Sequence, residues 1–260
     1  MLRTAELTGV LTKTTRMRSP RAVIAAFSLL LLLMGIGHGM GRLIYADTFT
    51  AFGVRFGYTS LFEVVLVFSF ATLCLATPDG AVPSSAWIRP LKLALCGLLL
   101  FGGGLHLVGG ELQNLAAQVG VSGPLMAQST FYDDAGHWLF AVVVTSLMAV
   151  MGYQEAVSSD RPSLTTWQRS VIIVEGFLLA AGASLSVIIS HFTLAFVPLC
   201  AVGWLVLAWR RPLRSPLAAY ASAFCAFSLL LVLLWTLLPA PIREPLLHPY
   251  VPGGRIHLPL

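Results

Sequence analysis

Charge is what this chain has least of. Asp, Glu, Lys and Arg together make up 10% of its 260 residues, while 57% are hydrophobic. A soluble domain carries about 25% charged residues, so the scarcity excludes an ordinary water-solvated surface and points to lipid as the solvent. Cysteine spacing of the C-x-x-C kind is missing. Cys74, Cys96, Cys200 and Cys225 each lie in an apolar run, which excludes a zinc ribbon or haem-attachment motif and reads them as small buried hydrophobes. There is no Walker loop, no G-x-S-x-G elbow and no H-E-x-x-H. The net charge is +5, but no basic patch is interleaved with aromatics, so no nucleic-acid partner is expected. The last apolar run contains no lysine, which argues against a retinal Schiff base there.

Long apolar runs fill most of the chain. Seven can be drawn, at residues 22–41, 59–77, 91–109, 135–153, 170–190, 193–209 and 217–238. A membrane span needs about 20 apolar residues. The expected fold is therefore all-α, a polytopic membrane protein built as a seven-transmembrane-helix bundle, with no soluble domain. Residues 1–20 read as a cytoplasmic basic tail, 21–238 as the membrane domain and 239–260 as an outer proline-rich tail. The first run is too long for a signal-peptide core and no clear cleavage site follows it, so it reads as a retained span. With the N-terminus inside, twelve Lys and Arg fall on inner segments and four on outer ones. This bias places the C-terminus outside, in a membrane expected to be the bacterial inner membrane. Two long outer loops are expected, at residues 42–58 and 110–134.

That orientation puts all six histidines on the outer side: His38, His106, His137, His191, His248 and His257. Glu63, Asp47, Glu111, Asp133 and Asp134 fall there too. Ionisable groups in or beside spans are costly, so a one-sided cluster suggests a site. Asp133, Asp134 and His137 are spaced i, i+4 and i, i+3, one face of a helix. Carboxylate and imidazole on one face can share a metal, or the carboxylate can fix the ring's tautomer. The plainer alternative is that the aspartates cap a helix beginning at residue 135. His106 lies in a glycine-rich run that lets helices approach closely. His38 is flanked by glycines, and Met40 beside it suggests copper as well as zinc. His191 sits at a predicted hairpin apex, where a polar residue is also expected for solvation alone. The candidate metal ligands are His106, His137, His38 and His191, and the candidate catalytic carboxylates are Asp133, Asp134 and Glu63. Glu111 does not share a helical face with His106. His248 and His257 read as bystanders in the tail. Glu175 stands apart in the inner half of the fifth run, where it is expected to snorkel or to pair with Lys92 or Arg169.

Seven spans with His and Asp at one membrane face resemble the superfamily of alkaline ceramidases and progestin/adipoQ receptors. The resemblance implies a three-histidine zinc site and a metal-dependent hydrolase acting on a lipid-like substrate from the bilayer. The chain departs from that family's motifs. Gly102 stands where its Ser-x-x-x-His has serine, and the last span has no histidine, so no ligand is carried over from the family. Two other classes stay open: a redox protein holding haem or copper between histidines, and a non-catalytic membrane subunit. A transporter is disfavoured, because the inner half is nearly empty of ionisable groups.

Overall fold

The computed structural model describes residues 19–43, 48–51, 54–76, 86–120, 123–157, 163–189, 193–208, 214–239 and 241–242. These form an all-α bundle. Helix α1 is Pro20–Leu43, α2 Tyr58–Ala76, α3 Ile88–Val119, α4 Pro124–Val157, α5 Thr166–Ile189, α6 Thr193–Ala208 and α7 Pro216–Leu237. Four helical stretches are long and apolar enough to cross a membrane: Ile88–Gln113, Met126–Val157, Thr166–Leu185 and Pro216–Leu237. The described parts of the other helices hold shorter apolar stretches, Pro20–Met34, Glu63–Ala76 and Phe196–Leu207. Large apolar side chains such as Leu32, Phe68, Phe101, Val174 and Leu205 point outward, as a bundle solvated by hydrocarbon requires.

The centre of the bundle is the first half of α7. Every residue from Pro216 to Cys225 is buried. Small side chains make this possible. An added Cβ at Gly152 would meet that of Ala221 at 2.6 Å, and one at Gly176 would meet that of Ala223 at 2.8 Å. Close approach of this kind is how helices gain packing contact in lipid, where no hydrophobic effect drives them together. Phe27 stacks on the fully buried Tyr220, with centroids 4.1 Å apart. Glu155 near the end of α4 accepts the Ala218 backbone N–H at 3.0 Å, which satisfies a donor in the first turn of α7. All four cysteines are buried thiols. Lys92, one of the twelve inner Lys and Arg, is itself buried.

The described parts of two expected loops hold regular secondary structure. The segment 110–134 is helix on both sides of a short connection. Helix α3 continues to Val119, where Gly120 turns left-handed (φ 67°) with its N–H on the Ala116 carbonyl, and α4 starts at Pro124. Hydropathy falls in this segment because it carries Glu111, Gln113 and Gln118, yet these residues and the alanines and leucines among them are good helix formers. Within the other segment, 42–58, a hairpin forms: β1 (Thr48–Ala51) pairs antiparallel with β2 (Val54–Gly57), Phe49 opposite Phe56, and leads directly into α2.

Glu175 does not take the basic partner expected of it. Its Oε1 accepts the Ser28 hydroxyl across the α1–α5 interface, and its Oε2 is buried with no hydrogen-bond partner among the described residues. Ser28→Ala therefore removes the donor that satisfies this carboxyl group. The expected cost is about 1–3 kcal/mol, read as a lower unfolding temperature in detergent; an unchanged midpoint would mean that Ser28 contributes nothing to the interface.

Candidate metal centre

Helices α3 and α4 form an antiparallel pair whose contact is set by glycine. On α3, Gly102, His106 and Gly109 recur at i, i+4 and i+7; on α4, Ser129, Asp133 and Gly136 do the same. The two stripes interlock. A Cβ added at Gly136 would lie 2.5 Å from the His106 backbone nitrogen, and one at Gly109 would strike the backbone of Asp133. The helices can cross this closely only because those positions carry hydrogen. The crossing carries the imidazole of His106 onto the carboxylate of Asp133.

His106 Nδ1 lies 2.5 Å from Asp133 Oδ1. Its other nitrogen, Nε2, lies 3.2 Å from Glu63 Oε2, near the start of α2. His137 sits one turn along α4 from Asp133, with Nδ1 3.6 Å from Asp133 Oδ1 and 3.0 Å from the Asp133 carbonyl oxygen. The two imidazole rings meet edge to face with centroids 4.1 Å apart. Ligand atoms of His106, Asp133 and His137 all fall within 4.8 Å of one another, a group able to hold a metal ion. Asp133, His137 and His106 side chains are 15%, 19% and 25% exposed, and Glu63 is 41% exposed.

The surroundings decide which nitrogen each ring can offer. A donor N–H at His137 Nδ1 is taken by the Asp133 carbonyl, which leaves the Nε2 lone pair for a ligand. His106 is held at both nitrogens, Nε2 on Glu63 Oε2 and Nδ1 on Asp133 Oδ1, so a metal ion held by Nδ1 and Asp133 would take the place of the proton between them. A histidine that binds metal almost always donates its second N–H to a carboxylate or a backbone carbonyl; both forms are present here. Asp133 and the two histidines supply the O and N donors that suit zinc, copper or iron. No porphyrin plane passes between rings with centroids 4.1 Å apart, so His106 and His137 are not a pair of haem axial ligands.

The capping reading of Asp133 and Asp134 is overturned. Helix α4 begins at Pro124, so both aspartates lie in its interior, more than two turns from the start, where no free backbone N–H awaits a cap. Of the carboxylates and histidines named from sequence, the structure brings together His106, His137, Asp133 and Glu63. Asp134 is half-buried beside them but outside the metal-binding group, and Glu111 lies farther along α3. His38 is in α1, but its side chain lies outside the described residues, as do His191, Asp47, His248 and His257. Gly109 belongs to the glycine-rich run that the sequence marks for close approach, whereas its counterparts on α4, Gly136 and the buried Ser129, are packing residues that sequence reading does not single out. Their signal was the shared spacing on the two helices, which has meaning only once the helices are known to pair.

Comparison with protein-family models, with curated proteins and with solved structures returns no match to this chain. The reading of the site rests on its own geometry.

Proposed function

We propose that the chain is a seven-span membrane protein, N-terminus inside and C-terminus outside, which binds zinc at its outer face on His106, Asp133 and His137 and hydrolyses a lipid-like substrate. The observation that carries the reading is the cluster itself: an imidazole from α3 meeting an imidazole and a carboxylate from α4, each ring fixed by its own partner. His106 lies eighteen residues beyond Ile88, about 27 Å along the helix, close to the ~30 Å thickness of the hydrocarbon core. In this reading the site stands near the boundary between hydrocarbon and headgroups. The twelve-to-four split of basic residues supports the outward orientation.

His106, Asp133 and His137 would hold the ion, and zinc bound there would supply Lewis acidity for hydrolysis. Hydrolysis also needs a base to take the water proton, and Glu63 and Asp134 are the nearby carboxylates for it. An apolar cavity of about 30 Å³ lies beneath the cluster, lined by Leu66 and Phe70 below Glu63 and by Phe140, Val144 and Met148 below His137. Met34 lines it as well. The cavity as it stands is too small for an alkyl chain, and a lipid tail would enter it only by displacing the unbranched Met34 and Met148 side chains, which move readily. The superfamily resemblance fits the same reading.

The test is metal content and hydrolysis together. Purified protein should carry zinc and should release fatty acid from a long-chain amide or ester substrate, with activity lost to a chelator and restored by zinc. A Soret band in the purified protein would sink the hydrolase reading. Fusion reporters should place the C-terminus outside. Glu63→Gln keeps the hydrogen bond but weakens its charge, and metal affinity should fall by about 10–100-fold, measured by competition with a chelating dye. Unchanged affinity would remove Glu63 from the role of orienting His106.

A further inference from the structure

A second site lies at the opposite end of the bundle from the metal centre. Helix α5 follows the far end of α4, and its first turns pack beside those of α1, so the N-terminal ends of the two helices meet at one face. Between them is a cavity of about 370 Å³. Arg21, Thr165 and Gln168 supply its polar lining, and Trp167 stands at its rim, 76% exposed. Ile24, Ala25 and Val171 make an apolar wall that runs from the rim toward the membrane interior.

Among the described residues, the electrostatics of this cavity have one sign. Both helices present their positive N-terminal ends to it. Each end is capped: the Ala22 N–H donates to Ser19 Oγ at 3.1 Å, and Thr165 and Gln168 form a reciprocal pair. In that pair the Thr165 N–H donates to Gln168 Oε1 at 2.9 Å and the Gln168 N–H to Thr165 Oγ1 at 3.3 Å. Arg21 adds a full positive charge, and among the described residues no acid lines the cavity. The nearest acid along the groove among the described residues, Glu175, lies one turn deeper and is engaged by Ser28.

We propose that this groove binds an anionic phospholipid, its phosphate on Arg21 between the two helix ends and one acyl chain along Ile24, Ala25 and Val171. Charge complementarity selects the phosphate, since guanidinium matches its oxygens. The apolar wall selects a lipid over a free anion, because a small ion would leave it unfilled. A tryptophan at the rim is the residue type that settles at the headgroup level, and basic pockets between spans are where lipid headgroups bind. The site does not depend on the metal reading.

The full chain, reconstituted in phosphatidylcholine vesicles, gives a direct test by brominated-lipid quenching of tryptophan. The Trp167 contribution is taken as the difference between the wild type and Trp167→Phe. Brominated phosphatidylglycerol should quench it several-fold more than brominated phosphatidylcholine at equal mole fraction. Arg21→Gln should bring that ratio to one, and Arg21→Lys should retain part of it. Ala25→Phe, which fills the groove and keeps Arg21, should also bring it to one. Both variants should hold the same metal content as the wild type, since the cluster is at the other end. A wild-type ratio of one, a ratio untouched by Arg21→Gln and Ala25→Phe, or full competition by inorganic phosphate would each overturn the proposal.

Discussion

Gly136→Ala is expected to strip the protein of its metal and to destabilise it, whereas Gly104→Ala is expected to do neither. The two substitutions add the same methyl group to neighbouring helices. At Gly136 the new carbon would lie 2.5–2.7 Å from the backbone nitrogen, Cα and Cβ of His106. No rotamer relieves a clash with backbone, so α3 and α4 must separate. Overpacking of this kind costs about 1–3 kcal/mol, and the separation also moves His106 off Asp133. At Gly104 nothing lies within 4 Å, so the methyl group meets no neighbour and gains helix propensity of about 1 kcal/mol. Thermal unfolding in detergent and metal analysis of both variants give opposite signs if the glycine crossing builds the site. A Gly136→Ala protein with full metal content and an unshifted midpoint would show that it does not.

His106→Ala and His137→Ala should each reduce bound metal from about one ion per chain to background, because a three-ligand site that loses one ligand keeps too few donors. The aspartates should divide. Asp133→Asn weakens a ligand and should lower retention, while Asp134→Asn should keep the metal, since Asp134 is outside the group. Hydrolysis sharpens the comparison: loss of activity with retained metal in Asp134→Asn would assign that carboxylate as the base. Metal retained in both histidine variants would remove the cluster from any metal chemistry. Elemental analysis of the purified variants decides all four cases, with circular dichroism to confirm that each remains helical.

The helices were legible in the sequence because apolar run length is a direct readout of burial in lipid. The run read at 170–190 is helix Thr166–Ile189, and the run at 217–238 is Pro216–Leu237. Reading failed where hydropathy and helix propensity disagree. The polar stretch after Gly110 was expected to be loop and is the continuation of α3. That error also produced the capping alternative for Asp133 and Asp134, which vanished once α4 was seen to start at Pro124. For Glu175 charge alone offers snorkelling or a basic partner, and helix packing supplies Ser28 instead.

The sequence by itself determined a helical chain with runs long and apolar enough to cross a membrane, and it picked out His106, His137, His38, His191, Asp133, Asp134 and Glu63 as polar groups too costly to be casual. Periodicity along one helix also related Asp133 to His137, since i, i+4 neighbours share a face whatever the tertiary fold. Only the tertiary structure decided that His106 and Glu63 join them. That contact spans twenty-seven residues from His106 to Asp133 and depends on how closely two helices can cross. The crossing distance is fixed by hydrogen atoms at Gly109 and Gly136, whose consequence appears only when both helices are packed together.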